Sequence, residues 1–275
     1  MKRAALVGML LGVSSAAVCG AEPPATGASL PVGDAPPPAV VRDSIVDGLY
    51  DAARMDHARA VLAEVHGGAR VSKVMANLFE LTSAGDGGYR WDVEGWYGGD
   101  RHRFVFKTEG AGLRRDGLDA GDAQALYSRA VGRYTDLQAG VRYEFRPDAR
   151  ASATFAVESL LPYWIKVQAA LFVSDRGDVL SRLEAHHDLR ITRRLMLQPR
   201  AELTLAAQDV PDVDVGSGLS AAEIGLRLRY EIRPQVAPYV GVSFERHFGR
   251  TADLRRAAGD GIEDTTLVLG VRGWF

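Results

Sequence analysis

The chain has 275 residues, 47% of them hydrophobic and 25% charged, with a formal charge of −2. A near-neutral balance without a basic stripe excludes nucleic acid as a partner, and a single cysteine excludes a disulfide framework. A bundle of membrane helices is excluded too, but a membrane barrel is not, because a barrel places its apolar residues only at alternate positions.

Met1-Lys2-Arg3 precedes an apolar stretch from Ala4 to Val18, the charged n-region and short h-region of a secretory signal. Cleavage after Ala21 makes residues 1–21 the signal peptide, with Cys19 and Ala21 at the small-residue positions of the recognition site. A competing reading makes Cys19 the lipidated first residue of a lipoprotein, although Val18 stands where a small residue is expected. Residues 22–40 are Pro, Ala and Gly with almost no large apolar side chain, so they read as a flexible linker that cannot offset the entropy of ordering. Residues 41–73 read as a short helical periplasmic segment, in which Asp56 caps a helix carrying Ala60, Val61 and Val65 and Gly67-Gly68 stops it.

From Val74 onward the hydropathy period is two. Twelve strands are predicted, at 74–84, 89–98, 102–110, 122–131, 135–145, 151–161, 163–174, 179–191, 195–208, 219–232, 236–249 and 264–275. Their connections predict an alternation of long and short, with Gly110 to Gly121, Asp209 to Gly218 and Arg250 to Glu263 among the long ones. Outer-membrane barrels put long loops outside and short turns in the periplasm, so an even strand count sets both termini in the periplasm. The last segment, Thr265 to Phe275, alternates and closes on an aromatic residue, as such barrels usually do. The fold class is therefore all-β: a twelve-stranded antiparallel transmembrane β-barrel over 74–275 with a short, partly helical N-terminal segment.

Alternation also assigns faces. Ala222, Ile224, Leu226, Leu228, Tyr230 and Ile232 oppose Glu223, Arg227, Arg229 and Glu231, while Leu195, Leu197, Ala201, Leu203 and Leu205 oppose Gln198, Arg200, Glu202 and Thr204. A one-residue slip would put Arg or Glu into lipid at about 2–4 kcal/mol for each Arg near the midplane, so the register is well determined. Tyr89, Trp91, Tyr97, Tyr143, Tyr163 and Tyr230 fall near strand ends, as aromatic girdles do. The alternative is a soluble β-sandwich, whose apolar faces would point inward. In the barrel the polar faces converge on one lumen, with Asp92, Glu94, Arg103, Lys107, Glu109, Arg142, Arg182, Glu184, His186, Asp188, Arg200, Glu202, Glu223, Arg227, Arg229, Glu245 and His247 inside. Twelve strands lie between the filled eight-stranded barrel and the water-filled porin, leaving open a salt-bridged filling or a narrow polar path.

Several ordered runs resemble the copper resistance protein B family. They include Phe79-Glu80-Leu81 through Gly85-Asp86-Gly87-Gly88 to Trp91-Asp92, and Lys107-Thr108-Glu109-Gly110. Leu126-Tyr127-Ser128-Arg129-Ala130, Leu197-Gln198-Pro199-Arg200-Ala201-Glu202-Leu203, Leu226-Arg227-Leu228-Arg229-Tyr230-Glu231-Ile232 and Ala237-Pro238-Tyr239-Val240-Gly241-Val242 continue it to the end of the chain. The resemblance implies an outer-membrane barrel of a copper-tolerance system that binds or passes copper ions, works alongside a periplasmic multicopper oxidase and is inserted by barrel-assembly machinery. It also implies a Met- and His-rich N-terminal segment, whose thioether and imidazole ligands suit copper. Here that segment keeps only Met55, His57, His66 and Met75. Within the barrel, His186 and His247 point inward with Glu184, Asp188 and Glu245 two positions away, and Met196 points inward near the periplasmic rim. The candidate metal residues are thus His186, His247, Met196, Met55, His57 and His66, set against a generic small-solute porin or a structural barrel with no copper role. An enzyme is not expected: outward His187 has no His-x-Ser pairing, and no Ser-His or Asp-His constellation is legible.

Overall fold

The computed structural model describes residues 49–62, 64–65, 69–83, 87–115, 117–210 and 213–275. The expected signal peptide, the linker and His66 lie outside the described residues. The strands are β1 Val71–Thr82, β2 Gly88–Gly98, β3 His102–Leu113, β4 Gly117–Ala130, β5 Thr135–Arg146, β6 Arg150–Leu161 and β7 Ile165–Ser174. Then follow β8, in two pieces Val179–His187 and Leu189–Arg190, β9 Leu195–Ala206, β10 Gly218–Tyr230, β11 Val236–His247 and β12 Glu263–Trp274. Each strand pairs antiparallel with the next, and β12 returns to β1 through Met75↔Trp274 and Leu81↔Leu269. The seam is tied by Phe275, whose N–H donates to the Val74 carbonyl at 2.8 Å and whose carbonyl accepts from the Val74 N–H at 2.9 Å. The expected closed twelve-stranded antiparallel barrel is what forms.

Burial is inverted relative to a water-soluble protein. Phe79, Phe104, Phe155, Ile224, Leu226, Leu228, Leu267, Leu269 and Val271 are exposed on the outer wall, whereas Arg227, Arg229, Arg142, Lys107 and Glu80 are buried within. A soluble sandwich would show the reverse, so this wall is built to face lipid. No described helix is long and apolar enough to cross a membrane. Leu203, on the same outward parity, is only half-buried. Tyr97, Tyr127, Tyr134, Tyr163, Trp164 and Tyr230 are exposed near the end of the barrel where β1 begins and β12 ends, called the termini end below, while Tyr143 and Phe145 are exposed near the other. Tyr89 and Trp91 differ from the girdle expectation: they stack on each other with centroids 6.1 Å apart and are half-buried.

Several boundaries move. The first strand already pairs at Val71 with Gly98, ahead of the expected start at 74, because Val71, Lys73 and Met75 continue the alternation. Between Ala76 and Leu78 the register shifts by one residue, so Asn77 and Leu78 both turn inward and Glu80 keeps the inward phase. The expected long connection from Gly110 to Gly121 is instead a tight hairpin: Gly110 pairs with Gly121 and Leu113 with Gly117, since glycines in a strand whose two neighbours are both present still satisfy the ladder. Length is concentrated in two connections at the end away from the termini, 207–217 and 248–262, and the second contains the helix Gly249–Ala258. That end is called the loop end below. The N-terminal helix, Ala52–Leu62, also begins a turn before the expected cap, because Asp51 Oδ1 accepts the Arg54 N–H at 3.2 Å ahead of the good helix formers Ala52-Ala53-Arg54-Met55.

Candidate functional site

Alternation sends one side chain in two into a lumen that twelve strands leave too wide for single side chains to fill. Arginines and carboxylates from opposite walls bridge it. Lys107 of β3 donates to Gln168 of β7 at 3.0 Å, Arg182 of β8 to Glu109 of β3 at 2.6 Å, and Arg90 of β2 to Glu223 of β10 at 2.8 Å. Deepest in the wall, Arg227 of β10 holds Glu80 of β1 through two bonds of 3.2 and 3.0 Å, and Tyr239 Oη donates to the same carboxylate at 2.9 Å. Both side chains of this pair are 1% exposed. Gly225 and Gly241 make room for the guanidinium: a Cβ on either would lie within 2.5 to 2.9 Å of an Arg227 side-chain atom. The interruption of β8 falls on Asp188, whose carboxylate accepts from Gln198 at 2.8 Å, Arg229 at 2.9 Å and Arg272 at 3.2 Å.

These bridges divide the lumen into two cavities, of about 580 Å³ at the loop end and about 190 Å³ at the termini end. The described residues around the larger cavity include nine carboxylates and four arginines. Around the smaller they include six carboxylates and six lysines or arginines, together with His186 and Met75. Of the two outcomes left open by strand number, a filling and a path, the structure has a charge-bridged layer between two open spaces.

The expected site residues separate. His186, on β8, borders the termini-end cavity with Nδ1 3.3 Å from Glu184 Oε1. His247 ends β11 on the opposite side of the layer, with Nε2 3.4 Å from Glu245 Oε1. Met196 is buried and inward, but its sulfur accepts a bond from Arg229 Nη2 at 3.0 Å, and Met75 is similarly placed against Arg272 at 3.4 Å. Met55 and His57 belong to the helix Ala52–Leu62. Among the described residues no group of three or more His, Cys, Asp and Glu side chains is arranged to hold a metal ion. Outward His187 has Nδ1 3.2 Å from the Trp164 carbonyl. Asp209, in the loop 207–217, accepts the Ser217 N–H at 2.8 Å, and this bond holds its carboxyl below the usual carboxylate range.

Alternation found most of the lumen, but Lys73, Arg90, Asp122 and Asp136 were missed. Arg90 shares the parity of Asp92 and Glu94, and Asp122 that of Gln124, so the signal was present. Glu80 and Met75 share a strand, but the irregularity at Asn77 hides their common face from a strict count of two.

Residues 70–275 match the family model described as Copper resistance protein B precursor (CopB). The chain is 41% identical over 215 residues to the Copper resistance protein B homolog of Pseudomonas syringae pv. tomato, spanning 77% of this chain and 72% of that one. To the Copper resistance protein B of Escherichia coli it is 40% identical over 189 residues, spanning 68% of this chain and 63% of that one. Among solved structures it is similar to the NanC porin, at 12% identity and a TM-score of 0.48, over 74% of this chain and 99% of that one. A similar match is the KdgM porin, at 12% identity and a TM-score of 0.44, over 74% of this chain and 99% of that one.

Proposed function

The chain belongs to the copper resistance protein B family, and from that premise we propose that its barrel sits in the bacterial outer membrane with both termini periplasmic and binds or passes copper ions through the polar lumen. The observation that carries the proposal is the lumen itself: two imidazoles, His186 and His247, each beside a carboxylate, face inward in a barrel whose larger cavity is rich in carboxylates. Carboxylate and imidazole together suit Cu(II), and a carboxylate-rich mouth raises the local concentration of cations. With no three-donor cluster among the described residues, the fit is to a cargo held briefly by one imidazole and one carboxylate, not to a tightly held resident metal. Met196 joins such a site only when Arg229 leaves its sulfur, and Met55, His57 and His66 form a separate N-terminal supply.

The reading extends to partners. A periplasmic multicopper oxidase of the same system would meet the copper at the termini end, and barrel-assembly machinery would recognise the last strand. Deleting Phe275 should lower the yield of heat-modifiable protein in the outer membrane, and equal yields would exclude that role. A structural barrel with no copper role is favoured by the bridged layer; a large conductance insensitive to copper would favour a general porin.

The test compares two variants of the full chain for copper stoichiometry and copper tolerance, with barrel content measured by heat modifiability in the same samples. His186→Ala with His247→Ala should lower both, and deletion of residues 22–73 should lower them less. Unchanged copper binding and tolerance in the folded double variant would refute lumenal handling.

A further inference from the structure

Among the described residues, Glu109 alone borders both cavities. It projects from β3, and its partner Arg182 projects from β8; β3 pairs with β2 and β4, β8 with β7 and β9, so the bond between them spans the lumen rather than running along one wall. Arg182 Nη1 donates to Glu109 Oε2 at 2.6 Å, and Arg182 Nε lies 3.2 Å from Glu202 Oε1. One guanidinium thus ties a carboxylate on each side of the gap.

Exposure distinguishes this bridge from the buried lock of Arg227 and Glu80. The side chains of Arg227 and Glu80 are 1% exposed, wedged between strands where glycines clear their space. Those of Arg182 and Glu109 are 24% and 29% exposed. Water reaches the latter pair, so it can part by side-chain rotation alone, without a void opening behind it. Parting would leave Glu109 and Glu202 as the groups lining the gap, on the floor of a cavity already rich in carboxylates. A cation arriving there competes with the guanidinium for the same oxygens, whereas an anion or a bulky solute gains nothing by the exchange.

We infer that the Glu109–Arg182–Glu202 bridge is the constriction that closes the lumen at mid-depth and decides what crosses it, admitting small cations and excluding anions and larger solutes. The inference deepens the reading of the lumen as copper's route by naming its gate. Its test uses potassium chloride and no copper, so failure of the gate and failure of the copper reading are distinguishable.

Single-channel currents of the full chain are recorded in planar bilayers, from protein shown to be folded by heat modifiability. Arg182→Ala should raise the conductance by roughly threefold or more and move the reversal potential in a salt gradient toward the potassium value. Glu109→Gln, which keeps the shape of the side chain and its place in the strand, should also raise conductance but move the reversal potential the opposite way, because Arg182 remains as the charged group in the gap. The exchanged pair, Glu109→Arg with Arg182→Glu, should return conductance to that of the parent. Conductance and selectivity unchanged in folded Arg182→Ala and Glu109→Gln would overturn the inference, as would an exchanged pair that conducts as freely as Arg182→Ala.

Discussion

Among the described residues, nine carboxylates face four arginines around the loop-end cavity, whereas carboxylates and lysines or arginines are equal in number around the termini-end cavity, although the same twelve strands build both. The difference arises from register. Glu202, Glu223, Glu245 and Asp264 stand abreast across β9 to β12, and Asp92, Glu109, Asp122 and Glu144 stand abreast across β2 to β5. Like charges directly opposite each other on neighbouring strands repel. They are tolerated because arginines from other rows reach between them: Arg90 to Glu223, Arg182 to Glu109 and Glu202, and Arg142 to Asp122 at 2.8 Å and Glu144 at 3.0 Å. Alternation decides which residues enter the lumen, and register decides what chemistry each half of it acquires.

The largest expected effect strikes the polar lock in the wall of the loop-end cavity. Arg227→Ala leaves Glu80 buried without its guanidinium, a loss of about 3–5 kcal/mol. Urea titration of the micelle-folded barrel, followed by the heat-modifiable gel band, should show a correspondingly lower midpoint. A midpoint equal to the parent's would mean that Glu80 is not held as described.

Next comes the contrast between wall and lumen on which both cavities depend. Leu226→Arg places a guanidinium on the lipid face and should cost about 2–4 kcal/mol if that position lies near the midplane. Polarity probes attached at 226 and 228 should report a hydrocarbon-like environment, and at 227 and 229 water or protein. The reverse pattern would invert the barrel.

These two positions also show what the sequence made legible. Leu226, Arg227, Leu228 and Arg229 reveal their faces through their immediate neighbours, because the side-chain period of a strand is local information. All twelve strands were found that way, and so was the inward parity of His186. The bond from Arg182 to Glu109 joins residues far apart in the chain, and only the closed ring of register makes them partners. The same holds for Arg227 with Glu80, and for the placement of His186 beside the termini-end cavity and His247 at the loop end. Local glycine signals misled where context prevails: Gly110, Gly112 and Gly117 read as a loop and are paired strand ends.

The smallest effect distinguishes two separate copper stations, one at each histidine. Each of His186→Ala and His247→Ala should weaken copper binding by roughly tenfold. Because the imidazoles do not share a site, the two losses should add to within about 0.5 kcal/mol in the double variant. Calorimetric titration of the three folded proteins measures this, and a strongly non-additive double variant would place both histidines on one ion.

The most direct measurement is an anomalous-difference map recorded at the copper edge from crystals of the full chain grown with copper. Lumenal handling predicts peaks inside the barrel, one within bonding distance of the His186 imidazole in the termini-end cavity and one beside His247 at the loop end. Copper density confined to Met55, His57 and His66, with none inside the barrel, would contradict it.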